Sequence, residues 1–227
     1  LVDADYSQIE LRVLAHIAHD WQMQDAFRSG EDFHTVTASN VFNVPLEEVT
    51  PALRSRAKAV NFGIVYGISA FSLSQDLHIS VAEAKEYIEH YMQTYPAIRG
   101  YLESSVEHAA EVGYTETLYG RRRYIPELKS ANGAVRALGR RMALNAPLQG
   151  TAADIVKMAM VRVARALAEE LPSARMIMQV HDELVLECPP EDADRAAEIL
   201  RREMEGVGSD FPVPLTVDVE IGHNWLK

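Results

Sequence analysis

At 227 residues, with 48% hydrophobic and 24% charged side chains, the chain is long enough to bury a sizeable core as one large domain or two small ones. Nothing in it reads as a transmembrane span or a signal peptide. A formal charge of −11 excludes a surface that grips nucleic acid all over, and the single Cys188 excludes an intramolecular disulfide and fits a reducing cytoplasm.

The chain opens at Leu1, without Met, on a strand-like Leu1-Val-Asp-Ala-Asp5. A natural domain seldom starts inside a strand, so the expectation is a piece of a longer polypeptide. Ser7 and Glu10 form a capping-box pattern, and Ile9, Val13, Leu14 and Ile17 follow at helical spacing. Asp5 therefore sits at a strand-to-helix junction. Gly30-Glu-Asp-Phe-His34 reads as a loop, Thr35 to Phe42 as a short helix, and Pro45 and Pro51 bracket a linker. A helix from Ala52 to Tyr66 carries Arg54, Lys58, Phe62 and Tyr66 in steps of four, which makes one slanting stripe. A solvated basic face gains nothing from aromatics, so Phe62 and Tyr66 on the same stripe point to a ligand. Gly63 and Gly67 permit close approach of another group.

Helices are expected over 81–95 and 97–112, split by Pro96, then a strand over 115–119 and a basic loop, Gly120-Arg-Arg-Arg-Tyr-Ile-Pro126. A long helical stretch from Ala134 to Leu171 is interrupted at Pro147 and Gly150. Between Thr115 and Arg165 ten Lys/Arg face three acids, a net +7 that leaves −18 for the rest. A local basic face inside an acidic protein still binds phosphates, although Arg121 to Arg123 alone read equally as a solvated loop. Met176-Ile-Met-Gln-Val-His181-Asp182-Glu183-Leu-Val-Leu-Glu187 reads as a hairpin of two core strands with Asp182 and Glu183 at its tip. A helix over 191–204 and an alternating strand over 215–221 close the chain. Met158, Met160, Met176 and Met178 are assigned to core filling. The order gives an α+β fold: a helical block inserted between strands of one sheet.

Taken alone, Asp182-Glu183 reads first as a solvated acidic turn. A second acidic strand end, Asp5, changes that: if the two strands are neighbours, their carboxylates converge on hard cations suited to in-line displacement at phosphorus. Arg54 and Lys58 would neutralise a polyphosphate, and the aromatics below them would stack on a base.

The motifs resemble those of the family A DNA polymerases. Asp5-Tyr-Ser-Gln-Ile-Glu-Leu-Arg12 is similar to motif A, Arg54-Ser-Arg-Ala-Lys58-Ala-Val-Asn-Phe62-Gly-Ile-Val-Tyr66-Gly67 to motif B, and His181-Asp182-Glu183 to motif C. Thr117-Leu-Tyr-Gly-Arg-Arg-Arg-Tyr-Ile-Pro and Arg141-Met-Ala-Leu-Asn145-Ala-Pro-Leu-Gln149 also fit, as does the closing Gly222-His-Asn-Trp225, which resembles the family's usual C-terminus. The resemblance implies an antiparallel palm sheet (residues 1–20 and 116–227) with an inserted, mostly helical fingers subdomain (21–115). Thumb and exonuclease domains are missing from this stretch, so it is expected to polymerise poorly by itself.

The implied activity is template-directed transfer of a nucleotide from a dNTP to a DNA primer, by a cytoplasmic monomer with no membrane partner. Asp5 and Asp182, with the Tyr6 carbonyl, are implied ligands of two Mg²⁺ ions, with Glu183 beside them. Lys58 is implied to contact the triphosphate and protonate the leaving pyrophosphate, while Arg54, His34 and Gln8 contact phosphates. Glu10 is implied to block a ribose 2′-hydroxyl, Phe62 to pack on the sugar and base, and Tyr66 to occupy the templating base's position. Arg141, Asn145, Gln149 and His181 are implied to touch the primer-template along the minor groove. Without the motifs His34 is a loop histidine, Gln149 a capping residue and Glu10 the partner of Ser7. Two rivals remain: a two-metal phosphodiesterase, which has no use for the Arg54–Tyr66 stripe, and a non-catalytic DNA-binding module, which has no use for paired carboxylates.

Overall fold

Residues 1–225 are described by the structure, a computed structural model. The elements run β1 (Val2–Tyr6), α1 (Ile9–Ile17), α2 (Trp21–Ser29), α3 (Phe33–Phe42), α4 (Pro51–Val65), α5 (Ala70–Leu77), α6 (Val81–Thr94), α7 (Pro96–Val112), β2 (Tyr114–Glu116) and β3 (Arg122–Tyr124). They continue with α8 (Gly133–Glu170), β4 (Arg175–Val180), β5 (Glu183–Glu187), α9 (Ala193–Glu205) and β6 (Val217–Ile221). The α+β class is as expected. The chain divides into two compact units, one of residues 1–9 with 151–225 and one of residues 10–150. Among the described residues no helix is long and apolar enough to cross a membrane.

The smaller unit is built on an antiparallel sheet of order β4-β5-β1-β6. Four consecutive residues of β5, Glu183 to Leu186, are buried, so this central strand is covered on both faces. Helix α9 packs on β1 and β6, placing Ala196, Ile199, Leu200 and Met204 in the core. The Tyr6 hydroxyl donates to the Met204 carbonyl at 2.6 Å, tying the end of β1 to that helix. The two strands of the expected hairpin are unequal: β4 is an edge strand with alternate residues exposed, and Ile177 is largely solvated. Met176 and Met178 of β4 are accordingly half-buried rather than core, as are Met158 and Met160 of α8.

The larger unit is helical, and its helices α2 to α6 start on side-chain caps. Asp20, Asp32, Thr50 and Ser69 cap α2, α3, α4 and α5, and Ser80 with Glu83 forms a capping box on α6, each worth ~1 kcal/mol. Its core stacks Phe27 on Phe33, which also meets Tyr95 and, through it, Tyr91. A second cluster joins Ala109, Ile125 and Ala143.

Four expectations need correction. His34 is in helix rather than loop, because the Asp32 cap starts α3 at Phe33. Residues 122–124 are a strand paired with β2, held by Arg122 on Glu116 and by Tyr114 against Tyr124, three residues being too few to show alternation. Helix α8 runs unbroken through Pro147. Pro147 withholds one N–H, and burial of Ala143, Pro147 and Leu148 offsets that loss. Helix α1 begins at Ile9, later than a Ser7 cap implies, since Gln8 adopts a left-handed conformation (φ 55°).

Candidate active site

The acidic cluster is assembled by strand register. On β1, Asp5 lies opposite Glu183 of β5 on one side and Asp218 of β6 on the other. The next residue, Tyr6, donates its N–H to the Asp182 carbonyl at 3.4 Å. The two acidic strand ends, separated by most of the chain, thus meet at one end of one sheet. Asp182 sits with His181 in the turn before β5, and His181 takes a left-handed φ of 51° that lets the two strands reverse. Glu183 is not at the tip: it is the first residue of β5, 5% exposed, and its Oε1 accepts from the Trp225 indole at 2.8 Å. Ser7 donates to Asp218 at 2.7 Å, and the Gln8 Oε1 nearby in sequence is buried without a partner among the described residues. Carboxylate and carbonyl oxygens at Asp5, Asp182 and Tyr6 are the hard donors that Mg²⁺ prefers. Among the described residues no trio of His, Cys, Asp or Glu is clustered for a metal.

In the larger unit α4 carries the expected stripe. The Arg54 fork grips Asp32 with both arms, Nε to Oδ1 at 3.0 Å and NH2 to Oδ2 at 2.7 Å. Burial alone would raise the Asp32 pKa, but the bonds from Arg54 and Thr35 hold it at about 2. Lys58, one turn on, is exposed and has no carboxylate partner among the described residues. Phe62 and Tyr66 stack at 6.2 Å, and the Tyr66 hydroxyl donates to Glu10 Oε2 at 2.7 Å. His34 lies 5.9 Å from Phe62, ring to ring, and only 2% of it is exposed. Burial first, and then Arg54 and Lys58, push its pKa down to about 4 against the pull of Asp32, so the ring is neutral at pH 7. A cavity of about 620 Å³ opens beside this stripe, lined by Phe62, Tyr66, Ser69, Ser72, Asp76 and Arg141.

Arg141, Asn145 and Gln149 repeat every four residues along α8, a single stripe. Arg141 and Gln149 are exposed, while Asn145 Oδ1 is buried without a partner among the described residues. The basic hairpin is less available than its sequence implies. Arg121 donates to the Gly150 carbonyl at 2.7 Å, and Arg122 is taken up by Glu116 and the Tyr114 ring. Sequence reasoning missed Asp32, Asn61, Asp218 and Trp225. Asp32 could have been found as an N-cap signal before α3, whereas the other three act only through partners distant in sequence.

Residues 1–227 match the family model described as DNA polymerase family A. The chain is 49% identical over its whole length to a DNA polymerase I of Caldicellulosiruptor bescii and 50% identical to the thermostable DNA polymerase I of Thermus aquaticus, covering 27% of each. It therefore spans about a quarter of the length of these curated relatives. A solved structure, the POL domain of Pol1 from M. smegmatis in complex with DNA primer-template and dNTP, aligns with a TM-score of 0.93 at 45% identity, over 99% of this chain and 39% of that one.

Proposed function

The chain belongs to DNA polymerase family A, and on that footing we propose that it supplies the palm and fingers of a DNA-directed DNA polymerase. The reaction extends a primer 3′-hydroxyl with dNTPs on a DNA template and releases pyrophosphate. Residues 1–20 and those from 116 onward form the palm in this reading, and residues 21–115 the fingers. The observation that carries it is the pairing of β1 with β5, which sets Asp5 beside the Asp182 turn. Asp5, Asp182 and the Tyr6 carbonyl would hold two Mg²⁺ ions. The chemistry such ions would supply there is a lowered pKa for the primer hydroxyl and neutralised charge on the leaving oxygen. Glu183, fixed by Trp225, braces the turn.

The remaining residues bind and orient. Arg54, Lys58, His34 and Gln8 donate to the triphosphate, and Lys58 gives a proton to the departing pyrophosphate. Phe62 packs on the incoming sugar and base. Tyr66 occupies the templating position, and its hydroxyl holds Glu10 where a ribose 2′-hydroxyl would clash. Arg141, Asn145, Gln149 and His181 follow the minor groove of the primer-template, whose acceptors correct pairs share. The enzyme works as a monomer in the cytoplasm.

In the full-length protein, Asp182→Ala should lower primer extension on the order of 10³-fold, the several kcal/mol a metal contributes to a transition state. Primer-template affinity, read by fluorescence anisotropy, should stay within about twofold because phosphate contacts dominate it. Undiminished extension would refute the assignment.

A further inference from the structure

Asn61 is fully buried on α4, directly before Phe62, and nothing in the proposed chemistry uses it. Its amide joins two side chains of α3. Nδ2 meets His34 Nδ1 at 2.9 Å, and Oδ1 accepts from the Thr37 hydroxyl at 3.2 Å. An amide nitrogen only donates, so His34 Nδ1 must present its lone pair and the ring proton of the neutral imidazole must sit on Nε2. With the amide this way round, the fully buried Thr37 hydroxyl donates to Oδ1, so both ends of the amide are satisfied. The charged groups acting on the ring are Asp32 at the cap of α3 and Arg54 and Lys58 on α4, with burial favouring the uncharged form. Nε2 has no hydrogen-bond partner among the described residues, and of the two cations acting on the ring Arg54 is held by Asp32 while Lys58 has no carboxylate partner among the described residues and is free to meet an anion.

We propose that Asn61 is a positioning residue that fixes His34 as a neutral Nε2–H donor toward the phosphates of the nucleotide. This rests on the nucleotide-binding reading above. The opposite tautomer would aim a lone pair at anionic oxygens and replace an attraction with a repulsion.

The test uses the full-length protein and measures KM for a dNTP from about pH 6 to 9, on either side of the ordinary histidine range. Asn61→Asp places a carboxylate where the amide was, which accepts from Nδ1–H and stabilises the imidazolium. Relative to the unmodified protein, KM should rise about tenfold at the alkaline end, the loss of one charge-assisted hydrogen bond, and return toward normal at the acid end. Adding His34→Ala should abolish that pH dependence. A flat profile for Asn61→Asp, or a dependence that survives His34→Ala, overturns the proposal.

Asn61→Ala provides a second route if the aspartate variant does not fold. It should raise KM in the unmodified background but by less than about twofold when His34→Ala is already present. Independent, multiplying effects overturn the positioning role. If the unmodified protein fails to incorporate dNTPs on a primed template, the function reading itself is lost. If it incorporates them and the variants behave otherwise than stated, the positioning role alone is lost.

Discussion

In the smaller unit, Asp5, Asp182, Glu183 and Asp218 come from strands far apart in sequence and are brought to one sheet end by backbone pairing. In the larger unit, Arg54, Lys58 and Phe62 lie on one helix with Tyr66 at its C-cap, and His34 and Glu10 are supplied from elsewhere. The first arrangement is stiff by construction: a one-residue slip of β1 would turn Asp5 to the opposite face, so the ladder itself enforces the geometry. The second has its Cα positions set by helical repeat, but its long side chains need separate restraints. Asp32 clamps Arg54, Glu10 receives Tyr66, and Asn61 orders His34. Carboxylates on paired strands are placed by the ladder, whereas the side chains around α4, Lys58 apart, are each held by a partner of their own.

The largest effect that sharpens this contrast concerns Lys58, the stripe's cation with no carboxylate partner among the described residues. Lys58→Ala should lower kcat about 10²- to 10⁴-fold, the range of a lost general acid. A rise in KM with kcat unchanged would show that Lys58 only binds, and would make the stripe a passive cradle.

The next test is of stability rather than rate. His34 has a folded pKa of about 4 against an ordinary 6.5. The unfolded chain therefore takes up its proton first as pH falls. The stability this residue contributes is complete above pH 6.5 and is lost progressively down to pH 4, on the order of 2–3 kcal/mol. Asp32, with a folded pKa of about 2, acts in a separate window, holding stability above its ordinary value of 3.8 and losing it as pH falls through 2. It is partly exposed, so its contribution is no more than ~1 kcal/mol. Urea midpoints measured across pH should flatten between 6.5 and 4 in His34→Gln and keep the lower limb. An unchanged upper limb would place the acid sensitivity in other groups.

The smallest expected effect tests the stiffness of the acidic sheet end. Trp225→Phe removes one donor from Glu183 and should cost ~1 kcal/mol in unfolding free energy. Extension activity should fall only a few-fold, in keeping with a bracing role. A loss as large as that of Asp182→Ala would mean that the sheet does not hold the turn without its tail.

Much of the site was legible from residues alone because its signals are local. The α4 stripe follows from 3.6-residue periodicity, and the strand ends at Asp5 and Asp182 follow from abrupt apolar-to-acidic steps. The misses have equally physical causes. Glu183 reads as a tip residue because the turn length depends on His181 adopting a positive φ, which composition does not announce. Pro147 reads as a break because its cost is local while the burial that offsets it is tertiary. Arg121 and Arg122 read as free cations because their partners, Gly150 and Glu116, are found only by folding.

The order of amino acids by itself determined which residue types stand at which helical and strand positions, since backbone geometry repeats the same way wherever a helix or strand forms. Only the tertiary structure decided that β1 lies between β5 and β6, that His34 is buried and neutral, and that Asn61 and Trp225 have partners to hold. Those facts depend on pairings and burial between segments far apart in the chain, where the free energy of desolvation and of satisfied polar groups, rather than any local preference, sets the outcome.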